Sequence, residues 1–212
     1  MLILLLMNYS GIRWMQFLIS PPINREFGLL ENLQLALILV MAITCFKGVL
    51  RKTQWLEKIG FSLLTLFSVF VFLEEIDYGL HFYEYFYKGG VENKEMVRNF
   101  HNQGNNNFWF RQGTYAVVIL TFVVLPLLAS KIKVPLIQDA APRKMAIATV
   151  GVYLLISQIA RFMPSWGFPV NPSLWGNHQE FEELVIYYLF LLYLLDWVHR
   201  KPALRLSFKK AD

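Results

Sequence analysis

The run from Gln54 to Leu73 is almost free of charge, with only Glu57 and Lys58 near its start, and it ends on Glu74-Glu75-Ile76-Asp77-Tyr78-Gly79-Leu80-His81. An apolar helix of about twenty residues matches the thickness of a bilayer's hydrocarbon core. Three acids and a histidine at the end of such a helix are costly to desolvate, so they mark a functional site by default. If the helix continues, Glu74, Asp77, Tyr78, His81 and Glu84 fall at i, i+3, i+4, i+7 and i+10 and form one polar stripe, flanked by Glu75.

Composition agrees with a membrane setting. Of 212 residues, 56% are hydrophobic, 16% aromatic and only 17% charged, which is too apolar for an ordinary soluble domain. The expected architecture is all-α, a polytopic transmembrane helix bundle forming a single integral membrane domain over 1–212. The lone cysteine, Cys45, lies in an apolar run; it rules out a disulfide framework or a Cys-based zinc site and reads as a packing residue. No Walker-type loop, Gly-x-Ser-x-Gly elbow or His-Glu-x-x-His is present, so nucleotide hydrolysis and the common serine and zinc protease templates have no support.

Five spans are expected, at about 29–49, 54–81, 114–130, 145–162 and 182–197. The N-terminal segment 1–27 is apolar but broken by Asn8, Ser10, Gly11 and Arg13 and closed by Pro21-Pro22. It is expected to be an interfacial or re-entrant helix rather than a span. The polar connection from Gly89 to Gln112 carries His101 and the run Asn105-Asn106-Asn107, and it reads as a loop with structure of its own. The aromatic residues, including Trp55, Trp109, Trp166, Trp175 and Trp197, sit where interfacial belts form, and Phe82-Tyr83 with Tyr85-Phe86-Tyr87 extend one belt past the acidic stripe.

Charge predicts the orientation. With five spans, the turn after the first (Lys47, Arg51, Lys52, Lys58), the third connection (Lys131, Lys133, Arg143, Lys144) and the tail (Arg200, Lys201, Arg205, Lys209, Lys210) place thirteen of the 20 Lys and Arg on one side. The bias puts the basic tail 198–212 in the cytoplasm and the N-terminus outside. Eleven of the 15 acids fall on the outer face. A basic inner face suits anionic cytoplasmic lipids, so the net charge of +5 calls for no nucleic-acid partner. His81, His101 and His178 all lie on the outer side of this topology, with Glu74, Glu75, Asp77, Glu182 and Glu183.

The blocks Glu74-Glu75-Ile76-Asp77-Tyr78-Gly79-Leu80-His81 and Asn99-Phe100-His101-Asn102-Gln103 resemble a pattern in bacterial polytopic membrane proteins whose activity is uncharacterised. Those proteins carry Glu-Glu-Ile-Ser-Trp-Gly-Gln after an apolar helix and Asn-Leu-His-Asn in the next loop. Asp77, Tyr78 and His81 stand here in place of Ser, Trp and Gln, and the likeness covers roughly thirty residues. It implies that Glu74, Glu75, Gly79, Asn99, His101 and Asn102 belong to one motif, and it implies no chemistry.

The residue types themselves suggest two chemistries. Asp77 and His81, at i and i+4, could offer two ligands to a divalent metal, with His101 or His178 from elsewhere as a third. His178 and Glu182 stand at the same spacing near the last span, and Glu183 with Tyr187 one turn on offers a second set of ligands or a general base. The candidate catalytic residues are therefore Glu74, Glu75, Asp77 and Glu183, and the candidate metal ligands Asp77, His81, His101, His178 and Glu182. Gly79 would let a neighbouring helix approach closely. The plainer expectation is that Glu74, Glu75 and Asp77 only mark the outer end of a span, bonded to the Asn-rich loop or to Arg98, Arg111 or Arg161. An enzyme acting on a lipid or lipid-linked substrate at the outer face of an inner membrane suits the pattern. A non-enzymatic membrane subunit that docks a protein partner, pairs with a second copy or conducts protons or ions is the alternative.

Overall fold

The structure, a computed structural model, describes residues 2–10, 12–21, 28–89, 100, 105–124, 151 and 172–199, with the last helix's side chains described from 180 onward. Helix is the only regular structure among the described residues. No proline occurs between 23 and 125, so nothing in the main apolar runs interrupts the backbone ladder.

Helix α3 spans Leu29–Arg51 and helix α4 spans Trp55–Glu75. At 1.5 Å per residue, their 23 and 21 residues are long and apolar enough to cross a membrane. A turn over 52–54 joins them, where the Lys52 ammonium lies 3.4 Å from Glu57. Close packing is possible because Gly48 of α3 lies beneath the ring of Phe61 of α4; a Cβ at Gly48 would come within 2.5 Å of that ring.

Helix α7, Pro172–His199, begins on a proline whose fixed φ and missing N–H suit a first turn. It runs parallel to α3, since Gln34 meets Glu180 near one end and Arg51 donates to Nδ1 of His199 at 3.1 Å near the other. Between these ends Cys45, Phe61, Leu194 and Val198 form a shared core, in which the Phe61 and Trp197 ring centroids lie 4.4 Å apart. Helix α6, Asn106–Ile119, widens into a π-helical turn over Leu120–Val124. Tyr115 meets Glu182, and Val118 and Phe122 pack on Val185 and Leu189, so α6 runs in the same direction as α7.

Near its N-terminus the chain forms two short helices, α1 over Leu2–Tyr9 and α2 over Arg13–Ile19. With 8 and 7 residues each is only about 10 to 12 Å long, too short to cross a bilayer. The Gln16 side chain donates to the Asn8 carbonyl and ties them together. Leu4, Met7 and Ile19 pack on Leu30, Phe181 and Leu184, placing the pair at the end of the bundle where α3 begins.

The expected spans compare as follows. The first extends to Arg51, and the last lies within the longer α7. The third expected span, 114–130, overlaps the helical stretch from Asn106 to Val124, and among the described helices only α3 and α4 are long and apolar enough to cross a membrane. The fourth, 145–162, lies outside the described residues, apart from Gly151. The second requires correction. Helix α4 stops at Glu75, and Asp77, Tyr78 and Gly79 follow at φ 47°, 54° and 92° before α5 starts at Leu80 and runs to Lys88. Three successive left-handed residues cannot belong to a right-handed helix, so the polar stripe is not one continuous helical face. Gly79 has a backbone role beside the one expected. Among the described residues nothing lies within 4 Å of the Cβ position there, and its φ of 92° supplies a left-handed backbone.

Candidate functional site

The two ends of the bundle differ in charge. Lys47, Arg51, Lys52, Lys58 and His199 gather where α3 ends, α4 begins and α7 ends, whereas Glu31, Glu74, Glu75, Glu180, Glu182 and Glu183 gather at the opposite end. That segregation follows from the helix directions, because α3 and α7 start and α4 stops at the acidic end.

Burial there is unusual for ionisable groups. Glu31, Glu74, Asp77, His81, Glu84 and Glu182 are all less than a tenth exposed, and Glu84 is 0% exposed. Although the helix breaks, Glu74, Asp77, His81 and Glu84 still all point inward, because the left-handed turn re-aims the chain between α4 and α5. Tyr78 alone of the expected stripe turns outward, at 55% exposed. Its hydroxyl donates to the Glu74 carboxylate, and that hydrogen bond to a carboxylate, followed by desolvation, holds the phenol above its usual range.

Neutral donors from other helices reach the carboxylates. Tyr187 of α7 donates to Oε1 of Glu75 at 2.8 Å, and Tyr115 of α6 donates to Oε2 of Glu182 at 2.5 Å. The carboxylates of Glu183 and Glu180 act electrostatically on the same Tyr187 hydroxyl. Gln34 of α3 is 1% exposed; its amide donates to the Glu180 carbonyl at 2.7 Å and to its carboxylate at 3.3 Å. A hydrogen bond to a charged acceptor is stronger than one between neutral groups, so each of these links fixes a carboxylate in place while adding no positive charge.

Of the candidate residues, Glu75 is thus bonded to Tyr187, which follows Glu183 by one turn of α7, and Glu182 is bonded to Tyr115 of α6. Asp77 and His81 form a second pair, with Oδ2 and Nδ1 3.8 Å apart. His101 and the side chain of His178 lie outside the described residues, as do Asn102 and Arg98, so the expected folding of the Asn/His loop onto the acids falls outside them too. Among the described residues, no three His, Cys, Asp or Glu side chains are placed to hold a metal ion. The expected metal set is therefore represented by Asp77 and His81 as a close pair, with Glu182 elsewhere in the acidic end.

Sequence reasoning missed Gln34 and Tyr115 as members of this site. A signal for Tyr115 existed, because it precedes Val118 and Phe122 by one and two helical turns and so shares the face that meets α7. No comparable signal marked Gln34, whose partner lies 146 positions away.

In chemical terms the arrangement offers carboxylates held by tyrosine hydroxyls, and a carboxylate beside an imidazole. Such groups can take up and release protons or hold a cationic group. No protein-family model, curated protein or solved structure matches this chain.

Proposed function

We propose that this chain is a polytopic inner-membrane protein with five spans, an N-terminal interfacial hairpin and a cytoplasmic C-terminus, and that its acidic end is an outer-face site acting on a lipid head group or lipid-linked substrate. One observation carries the reading: Glu74, Asp77, His81, Glu84 and Glu182 are buried together at one end of a bundle whose flanks are apolar. Only 11% of the most apolar window of α4 is buried, and Leu63, Leu66 and Phe67 are each at least 60% exposed. A core helix of a soluble protein would be mostly covered, and a face this apolar calls for lipid around it. Since α6 and α7 run the same way, the topology also calls for a return crossing between them, which the apolar run 145–162 would supply.

Within that site the Asp77 carboxylate stands 3.8 Å from the His81 imidazole, the two kinds of group that acid and base chemistry uses. Glu75 and Glu183, linked through Tyr187, would bind the cationic or hydroxyl-bearing part of a head group. The test compares the lipid composition of membranes containing the wild-type protein, the His81→Gln protein or none. A lipid class altered by the wild type and restored to the protein-free level by His81→Gln supports the reading. Identical lipid composition in all three refutes an enzymatic role.

A second reading, proton or cation passage, is favoured by the use of neutral tyrosine donors around buried carboxylates, an arrangement that allows a carboxylate to exchange a proton. Proton flux into vesicles that falls with Glu182→Gln would support it. A divalent metal enters either reading only if protein purified without chelator retains a stoichiometric ion that Asp77→Asn and His101→Gln both remove.

A further inference from the structure

Helix α5 is amphipathic in the sense opposite to a water-facing helix. Its inward residues, His81 and Glu84, lie one turn apart and are 2% and 0% exposed, while Phe86 and Tyr87 on the far side are 72% and 78% exposed. The outward rings pack on one another: the Tyr83 and Tyr87 centroids lie 5.3 Å apart, Tyr85 meets Phe86 edge-on at 5.3 Å, and the Lys88 ammonium sits 5.9 Å from the centre of the Tyr83 ring. A helix surrounded by water buries its rings and exposes its charges. One with its titratable face inward and its aromatic face outward is stable where the surroundings are not water.

The kind of surroundings can be read from the side chains. On the flank of α4 the exposed residues are Leu63, Leu66 and Phe67, as hydrocarbon requires. On α5 they are tyrosines and phenylalanines closed by a lysine, the mixture that favours the head-group boundary, where a ring has one apolar and one wet side. The α5 surface is also continuous with α4, because only the short left-handed turn over Asp77–Gly79 separates them.

We propose that α5 lies in the outer lipid interface and that phospholipid head groups and upper acyl chains hold its aromatic face, keeping His81 and Glu84 turned into the protein. The proposal rests on the membrane reading above and extends it. It makes lipid a structural part of the site, as the medium that seats one of its walls.

Spin labelling of the full chain in phosphatidylcholine and phosphatidylglycerol vesicles tests it. Single nitroxides are placed at Phe86→Cys, Tyr87→Cys, Leu66→Cys and Thr53→Cys, each in a Cys45→Ala background, and accessibility to oxygen and to a water-soluble nickel chelate is measured. The expected result is oxygen access well above nickel access at 86 and 87, shallower than at 66, with the reverse at 53. Nickel access at 86 and 87 equal to that at 53, while 66 remains oxygen-accessible, would overturn the proposal and leave the membrane reading standing. Dipolar broadening at 86 and 87 with little access to either reagent would mean that a second copy covers the face, and would overturn it as well. Nickel access at 66 would remove the membrane reading and this proposal together.

Discussion

Tyr187 donates its hydroxyl hydrogen to Oε1 of Glu75 across 2.8 Å, joining α7 to the end of α4 over 112 positions of sequence. This bond ties the last helix to the acid cluster, and Glu183, one turn before Tyr187 on α7, completes the group.

Replacing Tyr187 by Phe should therefore leave a carboxylate short of a donor and lower stability by about 1 to 3 kcal/mol, read as a reduced melting temperature in detergent. Glu75→Gln and Glu183→Gln should be non-additive when combined, by about 0.5 to 3 kcal/mol, because both act through Tyr187. Strict additivity would mean that the two carboxylates do not share a network.

Gly48→Ala should loosen the contact between α3 and α4, because the added carbon would come within 2.5 Å of the Phe61 ring, which is fully buried. A cost of about 1 to 3 kcal/mol is expected for overpacking. Phe61→Leu in the same chain should recover part of it. No change in melting temperature on Gly48→Ala alone would contradict the packing described.

At Gly79 the expected effect has another origin. Among the described residues none crowds its Cβ position, but φ is 92°, so Gly79→Ala should cost about 1 to 2 kcal/mol through backbone strain. Gly79→Asn should cost less, because asparagine tolerates left-handed φ better than alanine. Equal costs for the two would indicate that conformation is not the reason for glycine here.

Orientation can be checked with a membrane-impermeant maleimide. Thr53→Cys, in the turn between α3 and α4, should label from the same side as a cysteine at Lys209, and Lys88→Cys at the end of α5 from the opposite side. Thr53 and Lys88 are both exposed. Labelling of positions 53 and 88 from one side would exclude the proposed topology.

Much of this arrangement was legible in the sequence because apolar length and charge asymmetry are local properties. The limits of α3, the tight turn after it and the concentration of acids at one end follow from runs of side chains that can be counted. The left-handed turn over Asp77–Gly79 was not legible: Asp77 and Tyr78 fit the helical spacing as well as their neighbours do, and Gly79 read as a point of close helix approach. The tie between Glu75 and α7 was not legible either, since its agent, the Tyr187 hydroxyl, appears only once α4 and α7 are side by side. Gln34 gave no hint, since one amide near a helix start is ordinary until its partner is known.

That amide has a consequence in time. Gln34 binds Glu180, which is made 146 residues later; at about 5 to 20 residues per second, α3 waits roughly 7 to 30 s for the helix that satisfies it. During that interval a buried polar side chain of the finished protein stands without its partner on the hairpin of α3 and α4. A chain arrested before residue 180 should therefore be degraded faster than the full-length protein, and Gln34→Leu should narrow the difference in pulse-chase lifetimes. The order of synthesis thus makes α7 the element that closes the fold.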